Sequence, residues 1–387
     1  MRRSNWKKNV AIGSLLGGLI CSSSRVYADT TGLKWYDTLS LGGYIQGSYV
    51  GNLNAPMPKT NAGRIFDVES NSFNLNAFHL QVAKPMGDDN YAFTAKLHTG
   101  RDARVIKSAG TGGAGAPDFD VQEAYLTVAV PSLKKLTFTG GKFVTLEGVE
   151  VIESPLNPNF SEGFFFGCTE PFTHTGLKTN YAFSDQVNAT VGIVNGWDTT
   201  ADANDGKTVI WQVATTPAKM VLWNFEGTYG PEALANNVSK RTSLDTVLSV
   251  TPTDKLSLWF QGNWGQDTNV TPLAPTTQGT STVHWNGLGA WAQYAFTSFY
   301  TQALRFEVMG DQNGAARMGT SLTFNPGPAI NQTVNEITWT HKFQITKNVA
   351  TRVEYRHDWS NRPFFTKHDG SLVRNQNTIS ADWVVTF

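Results

Sequence analysis

The sequence predicts an all-β fold, a transmembrane antiparallel up-and-down β-barrel of about sixteen strands. The first observation is compositional: charged residues make up 16% and aromatic residues 12% of the 387 residues, whereas soluble domains carry about 25% charged residues. The second is an alternation of apolar and polar residues with period two past Trp35, which is typical of strands. The third is a strict alternation of short and long connections between these segments.

The composition also excludes several other classes of protein. Basic and acidic residues both number 31, so the chain lacks the positive charge of a dedicated nucleic-acid-binding protein. Two cysteines cannot build a disulfide scaffold. No apolar run approaches the roughly 20 residues that a membrane-spanning helix needs.

The first 28 residues are predicted to be a cleavable signal peptide. An apolar stretch, Val10 to Ile20, follows a basic start, and Val26-Tyr27-Ala28 places small residues where a signal peptidase reads them. The alternative is a lipid anchor on Cys21, but Ile20 stands where a small residue is expected. Cleavage after Ala28 leaves 29–387 as the barrel domain, with 26 basic and 31 acidic residues.

The alternation is clearest at the end of the chain. Apolar residues of one parity are Ile379, Ala381, Trp383, Val385 and Phe387. The other parity carries Ser380, Asp382 and Thr386, with Val384 as the exception. Such a strand has one apolar face and one polar face.

Sixteen strands are predicted in this way. They are 38–50, 71–83, 90–100, 119–130, 134–145, 172–183, 186–196, 208–216, 219–229, 242–251, 254–264, 283–296, 299–309, 332–344, 348–358 and 377–387. The second strand is the least regular, because its apolar parity changes between Leu75 and Phe78.

The connections distinguish a membrane barrel from a soluble β-sandwich. Seven short ones contain two to six residues, and eight long ones are 51–70, 101–118, 146–171, 197–207, 230–241, 265–282, 310–331 and 359–376. Outer-membrane barrels have this asymmetry, and they also carry aromatic girdles, for which the candidates are Tyr44, Tyr49, Trp264, Trp359 and Phe387. Because lipid forbids an open sheet edge, the first and last strands should pair.

The polar parity should line an aqueous lumen, since sixteen strands enclose more space than their own side chains fill. The predicted lumen wall includes Lys178, Arg305, Glu307, Arg352, Glu354, Arg356 and Asp358. Charges at a constriction set the selectivity of a channel.

The longest connection, 146–171, lies between predicted strands five and six. It carries Glu147, Glu150 and Glu153, no basic residue, and the apolar run Phe164-Phe165-Phe166. Because so apolar a segment needs a surface to pack on, we expect it to fold into the lumen and form a constriction opposite the wall arginines. The alternatives are a cap on the barrel rim or packing on a neighbouring subunit.

Several short motifs resemble the OmpL-like β-barrel porin family. They are 140–145, Gly148, Glu150, Pro155, 171–176, 74–78 and 192–198. The resemblance is strongest over 71–198 and implies a Gram-negative outer-membrane channel for small solutes, with a homotrimer as the assembly of general porins.

The sequence therefore predicts an outer-membrane porin for passive diffusion of small hydrophilic solutes and ions. Its partners would be the lipid bilayer and the solutes, without nucleic acid, cofactor, metal or catalytic residues. An adhesive or structural barrel is the first alternative. A lipid-hydrolysing barrel enzyme is the second alternative. For it, His341 and His79 could face lipid, yet the alternation gives neither an evident serine and acid partner.

Overall fold

The computed structural model describes residues 35–111, 117–312, 315, 317–318 and 327–387; the predicted signal peptide lies outside them. Sixteen antiparallel strands form one closed barrel in sequence order, and the last strand pairs with the first. The barrel strands are β1 Ser40–Asn52, β2 Ser72–Lys84, β3 Tyr91–Thr99, β4 Phe119–Val130, β5 Leu133–Val144, β6 Thr173–Ala182, β7 Val187–Val194, β8 Thr208–Ala218, β9 Val221–Gly230, β10 Lys240–Thr253, β11 Leu256–Thr271, β12 Ala274–Ala295, β13 Tyr300–Gln312, β14 Gln332–Gln344, β15 Val349–Ser360 and β18 Asn375–Thr386. The predicted fold is confirmed.

The remaining elements lie in the connections. A two-stranded sheet pairs β16, Phe365–Thr366, with β17, Leu372–Val373. The helices are all short: α1 Ala103–Ile106, α2 Phe164–Cys168, and two 3₁₀ helices, Trp35–Thr38 and Ser154–Leu156. No helix among the described residues is long and apolar enough to cross a membrane.

The expectation of a long loop over 265–282 was wrong. Strands β11 and β12 continue through this range as a hairpin, with Thr271 opposite Ala274 at its tip. Thr268 still pairs with Thr282, although the apolar alternation has ended. Backbone pairing rather than burial of an apolar face maintains this extension.

A β-bulge explains the change of parity in the second strand. Gln46 of β1 pairs with Ala77 and Gly47 with Leu75, so Asn76 is an extra residue on β2. One inserted residue moves the following side chains to the opposite face. Leu75 and Phe78 therefore both point outward, with 59% and 41% of their surface exposed.

The two faces of the wall otherwise follow the predicted parity. On β15, Arg352, Glu354 and Arg356 are buried on the inner side, whereas Val353 and Tyr355 are exposed on the outer side. The prediction that Tyr44 belongs to the aromatic girdle was wrong, because Tyr44 is buried inside the barrel and stacks on His79. It shares its parity with the inward Gln46 and Ser48.

Apolar segments of the long connections occupy the interior of the barrel. One cluster joins Phe164 and Phe165 to Phe364, Phe365 and the wall residue Trp291. A second contains Ile65, Phe66, Ile106, Ile152 and Phe166. These clusters give the inside of the barrel a packed core that a bare cylinder of strands would lack.

Candidate functional site

The candidate site is the segment 145–172, here called the β5–β6 segment. Its ends are close together, because Val144 and Thr173 are register partners on adjacent strands. Leu156 is its one exposed residue. Its polar groups form hydrogen bonds with β3 and also with β10, β13 and β15, which lie elsewhere around the barrel. The segment therefore crosses the lumen.

Local interactions fix the course of this segment. Asn157 closes a turn: its amide oxygen accepts the N–H of Val151 at 2.9 Å and its Nδ2 donates to the carbonyl of Val151 at 2.8 Å. Gly148 has a φ of +98°, and a Cβ there would lie 1.8 Å from Oε2 of Glu170. Only glycine fits a position that needs both a positive φ and this close approach.

Buried arginines and a glutamate hold the segment to the wall. Nη1 of Arg305 lies 2.6 Å from Oε1 of Glu150, and its Nε lies 2.9 Å from Glu336. Arg352 donates to the carbonyls of Ser154 and Asn159 at 3.0 and 2.8 Å. Such charge-assisted bonds are stronger than neutral ones.

Backbone groups of the segment complete this attachment. Glu354 accepts the N–H groups of Phe160 and Ser161 at 2.7 and 3.1 Å. Glu307 accepts the N–H of Phe164, and Arg356 donates to the carbonyl of Glu162 at 2.6 Å. These wall groups thus satisfy backbone atoms that burial would otherwise leave unpaired.

The other predicted wall residues also have defined partners. Asp358 lies 2.7 Å from Arg356 and 2.7 Å from Arg64 of the β1–β2 connection. Burial lowers the pKa of Arg64, but the charges of Asp358 and Asp67 raise it above its ordinary value. Lys178 points at the ring of Phe143, 4.2 Å from its centre.

Glu153 is attached to a different part of the wall. Its Oε1 lies 2.5 Å from Nζ of Lys96 and accepts from Gln122 at 2.8 Å. Burial alone would raise the pKa of Glu153, but the charge and hydrogen bond of Lys96, together with His79 and Gln122, outweigh burial and lower the pKa to about 2. Glu153 is therefore an anion in a buried ion pair.

Glu147 lies among other carboxylates. It accepts from Oγ of Ser243 at 2.7 Å, and burial together with the charge of Asp245 raises its pKa to about 8. Nε2 of Gln261 donates to both Glu170 and Asp245, at 2.6 and 2.8 Å. Burial and the charge of Asp245 also raise the pKa of Glu170.

The structure thus separates the three predicted loop glutamates. Glu150 contacts an arginine, Glu153 contacts a lysine, and Glu147 faces acidic residues. Arg64 was not predicted, because the β1–β2 connection shows no regular alternation of apolar and polar residues. Asp245 was not predicted either, although its place on the polar face of β10, between Leu244 and Leu248, was a signal for it.

The two histidines considered for lipid hydrolysis lie in different surroundings. His341 is on the outer side, where Nδ1 lies 2.7 Å from the hydroxyl of Tyr300. The expectation that His79 could face lipid was wrong: it is buried inside the barrel, 3.9 Å from Glu153. The bulge at Asn76 reverses its face.

Comparisons with known proteins place this geometry in context. The model of the family described as "Putative beta-barrel porin-2, OmpL-like" matches residues 38–387. Among curated proteins, none matches the sequence.

Solved structures of similar fold include three outer-membrane proteins. The anion-selective porin from Comamonas acidovorans is 9% identical, with a TM-score of 0.59 over 90% of this chain and 99% of that chain. The outer membrane channel DcaP of Acinetobacter baumannii is 13% identical, with a TM-score of 0.55 over 90% and 97%. OmpT of Vibrio cholerae, in a trimer form, is 10% identical, with a TM-score of 0.55 over 90% and 99%. At these identities the likeness shows the fold alone.

Proposed function

The chain belongs to the OmpL-like β-barrel porin-2 family, and from this premise we infer that it is an outer-membrane channel for the passive diffusion of small hydrophilic solutes and ions. The observation that carries the inference is a closed sixteen-stranded barrel with charged side chains on its inner face. Water-filled porins are built on this plan. The family and the fold point to a channel rather than an enzyme, and we propose that the chain has no catalytic activity.

The β5–β6 segment is proposed as the constriction. Its glutamates contact different strands of the wall: Glu147 contacts β10, Glu150 contacts β13 and Glu153 contacts β3. On the wall, Lys178, Arg305, Glu307, Arg352, Glu354, Arg356 and Asp358 would define the passage with them. Their charges would act on solutes at close range, where water screens them least.

Single-channel conductance in a planar bilayer tests the channel function. The protein is purified from outer membranes, and the same preparation, boiled before addition, serves as the control. Discrete ohmic steps from the folded protein alone are the expected result. A correctly folded barrel that stays silent would contradict the channel and favour the adhesive or lipid-hydrolysing alternatives.

Export and assembly are further parts of the proposal. Residues 1–28 would direct export and be removed after Ala28, which intact-mass measurement of the purified protein checks directly. A homotrimer is proposed because a protein of similar fold has been solved in a trimer form. Chemical cross-linking in the membrane would distinguish a trimer from a monomer.

A further inference from the structure

We propose that the channel prefers cations, and that four inward carboxylates set this preference: Glu147, Glu170, Glu226 and Asp245, here called the acidic quartet. The inference rests on the proposed channel function and names the class of ion that the channel favours. Two members lie near the ends of the β5–β6 segment, and two are register partners on β9 and β10.

Neutral side chains donate hydrogen bonds to each member of the quartet, with Ser243 as the donor to Glu147. Gln261 joins Glu170 to Asp245 through one amide nitrogen, and Asn263 donates to the same Asp245 oxygen at 2.9 Å. Gln212 donates to Glu226 at 2.5 Å. All these donors are neutral, so they orient the carboxyl groups without cancelling the charge that each carries when it is ionised.

The quartet has no cationic partner in the part of the chain that the structure describes, since none of its members forms an ion pair there. One oxygen each of Glu147, Glu226 and Asp245 also has no hydrogen-bond partner among the described residues. These three residues are at most 4% exposed. Leaving a buried carboxylate oxygen unpaired is costly, and a cation passing nearby would reduce that cost.

The geometry does not resemble a chelating site. Among the described residues, no group of three or more His, Cys, Asp and Glu side chains could hold a metal ion. The quartet therefore acts through its electrostatic field, which raises the local concentration of cations in the passage.

Cationic side chains elsewhere inside the barrel do not balance this charge. Arg64, Arg305, Arg352 and Arg356 each form an ion pair with a wall or segment carboxylate, and Lys96 pairs with Glu123 and Glu153. Within the described ranges, the inward lysines without an ion pair are Lys178 and Lys342. Among the described inward side chains, the carboxylates without an ion pair, which also include Glu162, Glu307 and Glu354, therefore outnumber the lysines without one.

The test is the reversal potential of the purified channel in a KCl gradient at pH 9, above the pKa of about 8 to which burial and Asp245 raise Glu147. Wild type should favour K⁺ over Cl⁻, and the double variant Glu226→Gln with Asp245→Asn should lower the permeability ratio about threefold at low salt, where screening of nearby charges is weakest. Lys178→Gln should raise the ratio. Asp369→Asn, in the exposed turn between β16 and β17, is the matched control that should leave it unchanged.

The outcomes separate this inference from the channel function. Conductance without cation preference, or with an unchanged ratio in the double variant, would overturn the role of the quartet and leave the channel intact. Absence of conductance would overturn the channel itself. If the double variant does not fold, Glu147→Gln replaces it, and an unchanged ratio there would likewise overturn the inference.

Discussion

Glu147 and Glu153 are close in sequence, yet their carboxyl groups have opposite electrostatic surroundings. Glu147 lies near Asp245, and burial with this like charge raises its pKa to about 8. Burial would also raise the pKa of Glu153, but Lys96, together with His79 and Gln122, lowers it to about 2. Residue type therefore does not determine the charge of a buried carboxyl group; its neighbours do.

This difference predicts that the cation preference rises with pH. A carboxyl group with a raised pKa is neutral below that pKa and anionic above it, so Glu147, with a pKa of about 8, should gain charge between about pH 7 and pH 9. Glu170, whose pKa is also raised, should likewise gain charge as the pH rises. The groups facing them are Asp245 on β10, Glu226 on β9, Ser243 and, within the segment, Glu150. We expect the K⁺/Cl⁻ permeability ratio to rise about twofold over this interval.

Reversal potentials measured across that pH range check the prediction. Glu147→Gln should reduce the slope, whereas Glu153→Gln should leave it intact, because Glu153 is already ionised throughout. A ratio independent of pH in wild type would contradict the assignment.

At the scale of elements, each barrel strand must keep one face toward lipid, and a single residue can change which face that is. Asn76 is inserted between two runs of β2 that have opposite parity. Its side chain points inward, accepting from Ser48 at 2.6 Å and donating to Asp102 at 3.2 Å. The bulge thus keeps both Leu75 and Phe78 on the outside.

Deleting Asn76 should prevent normal barrel formation. Without the extra residue, either Phe78 turns into the lumen or Leu75 does, and polar neighbours turn toward lipid. The expected result is loss of the heat-dependent mobility shift that folded barrels show in gel electrophoresis. Asn76→Ala keeps the residue count and should still fold, at a cost of about 1 kcal/mol for each lost hydrogen bond. A deletion variant that folds like wild type would refute the role of the bulge.

At the scale of the molecule, the wall and the long connections depend on each other. The strands close the cylinder, whereas the β5–β6 segment and its neighbours fill it with apolar clusters. The wall arginines meet the segment directly through buried hydrogen bonds. Breaking the buried ion pair of Arg305 and Glu150 should cost about 3–5 kcal/mol, so the proposed constriction should be rigid.

Removing the β5–β6 segment should therefore widen the passage. Val144 and Thr173 are adjacent, so a short glycine–serine turn can replace 146–171 without moving the strands. We expect a severalfold rise in single-channel conductance. Shortening the exposed turn 367–371 is the control and should change nothing. An unchanged conductance after removal of 146–171 would show that the constriction lies elsewhere.

Much of this molecule was determined by the sequence itself. Period-two alternation fixed the sixteen strands and the inward positions of Arg305, Arg352, Glu354 and Arg356, because a strand places successive side chains on opposite faces. Alternating connection lengths fixed the barrel in preference to a sandwich. These features are local, so they can be read along the chain.

Tertiary structure decided which charges meet. Glu150 pairs with Arg305, which is 155 residues away, and Asp358 pairs with Arg64 from a connection without any period. The hairpin extension of β11 and β12 and the inward position of His79 also depended on pairing between strands. Ion pairing and burial depend on distance in space. The alternation along one strand therefore does not show which side chain from another part of the chain will contact that strand inside the barrel.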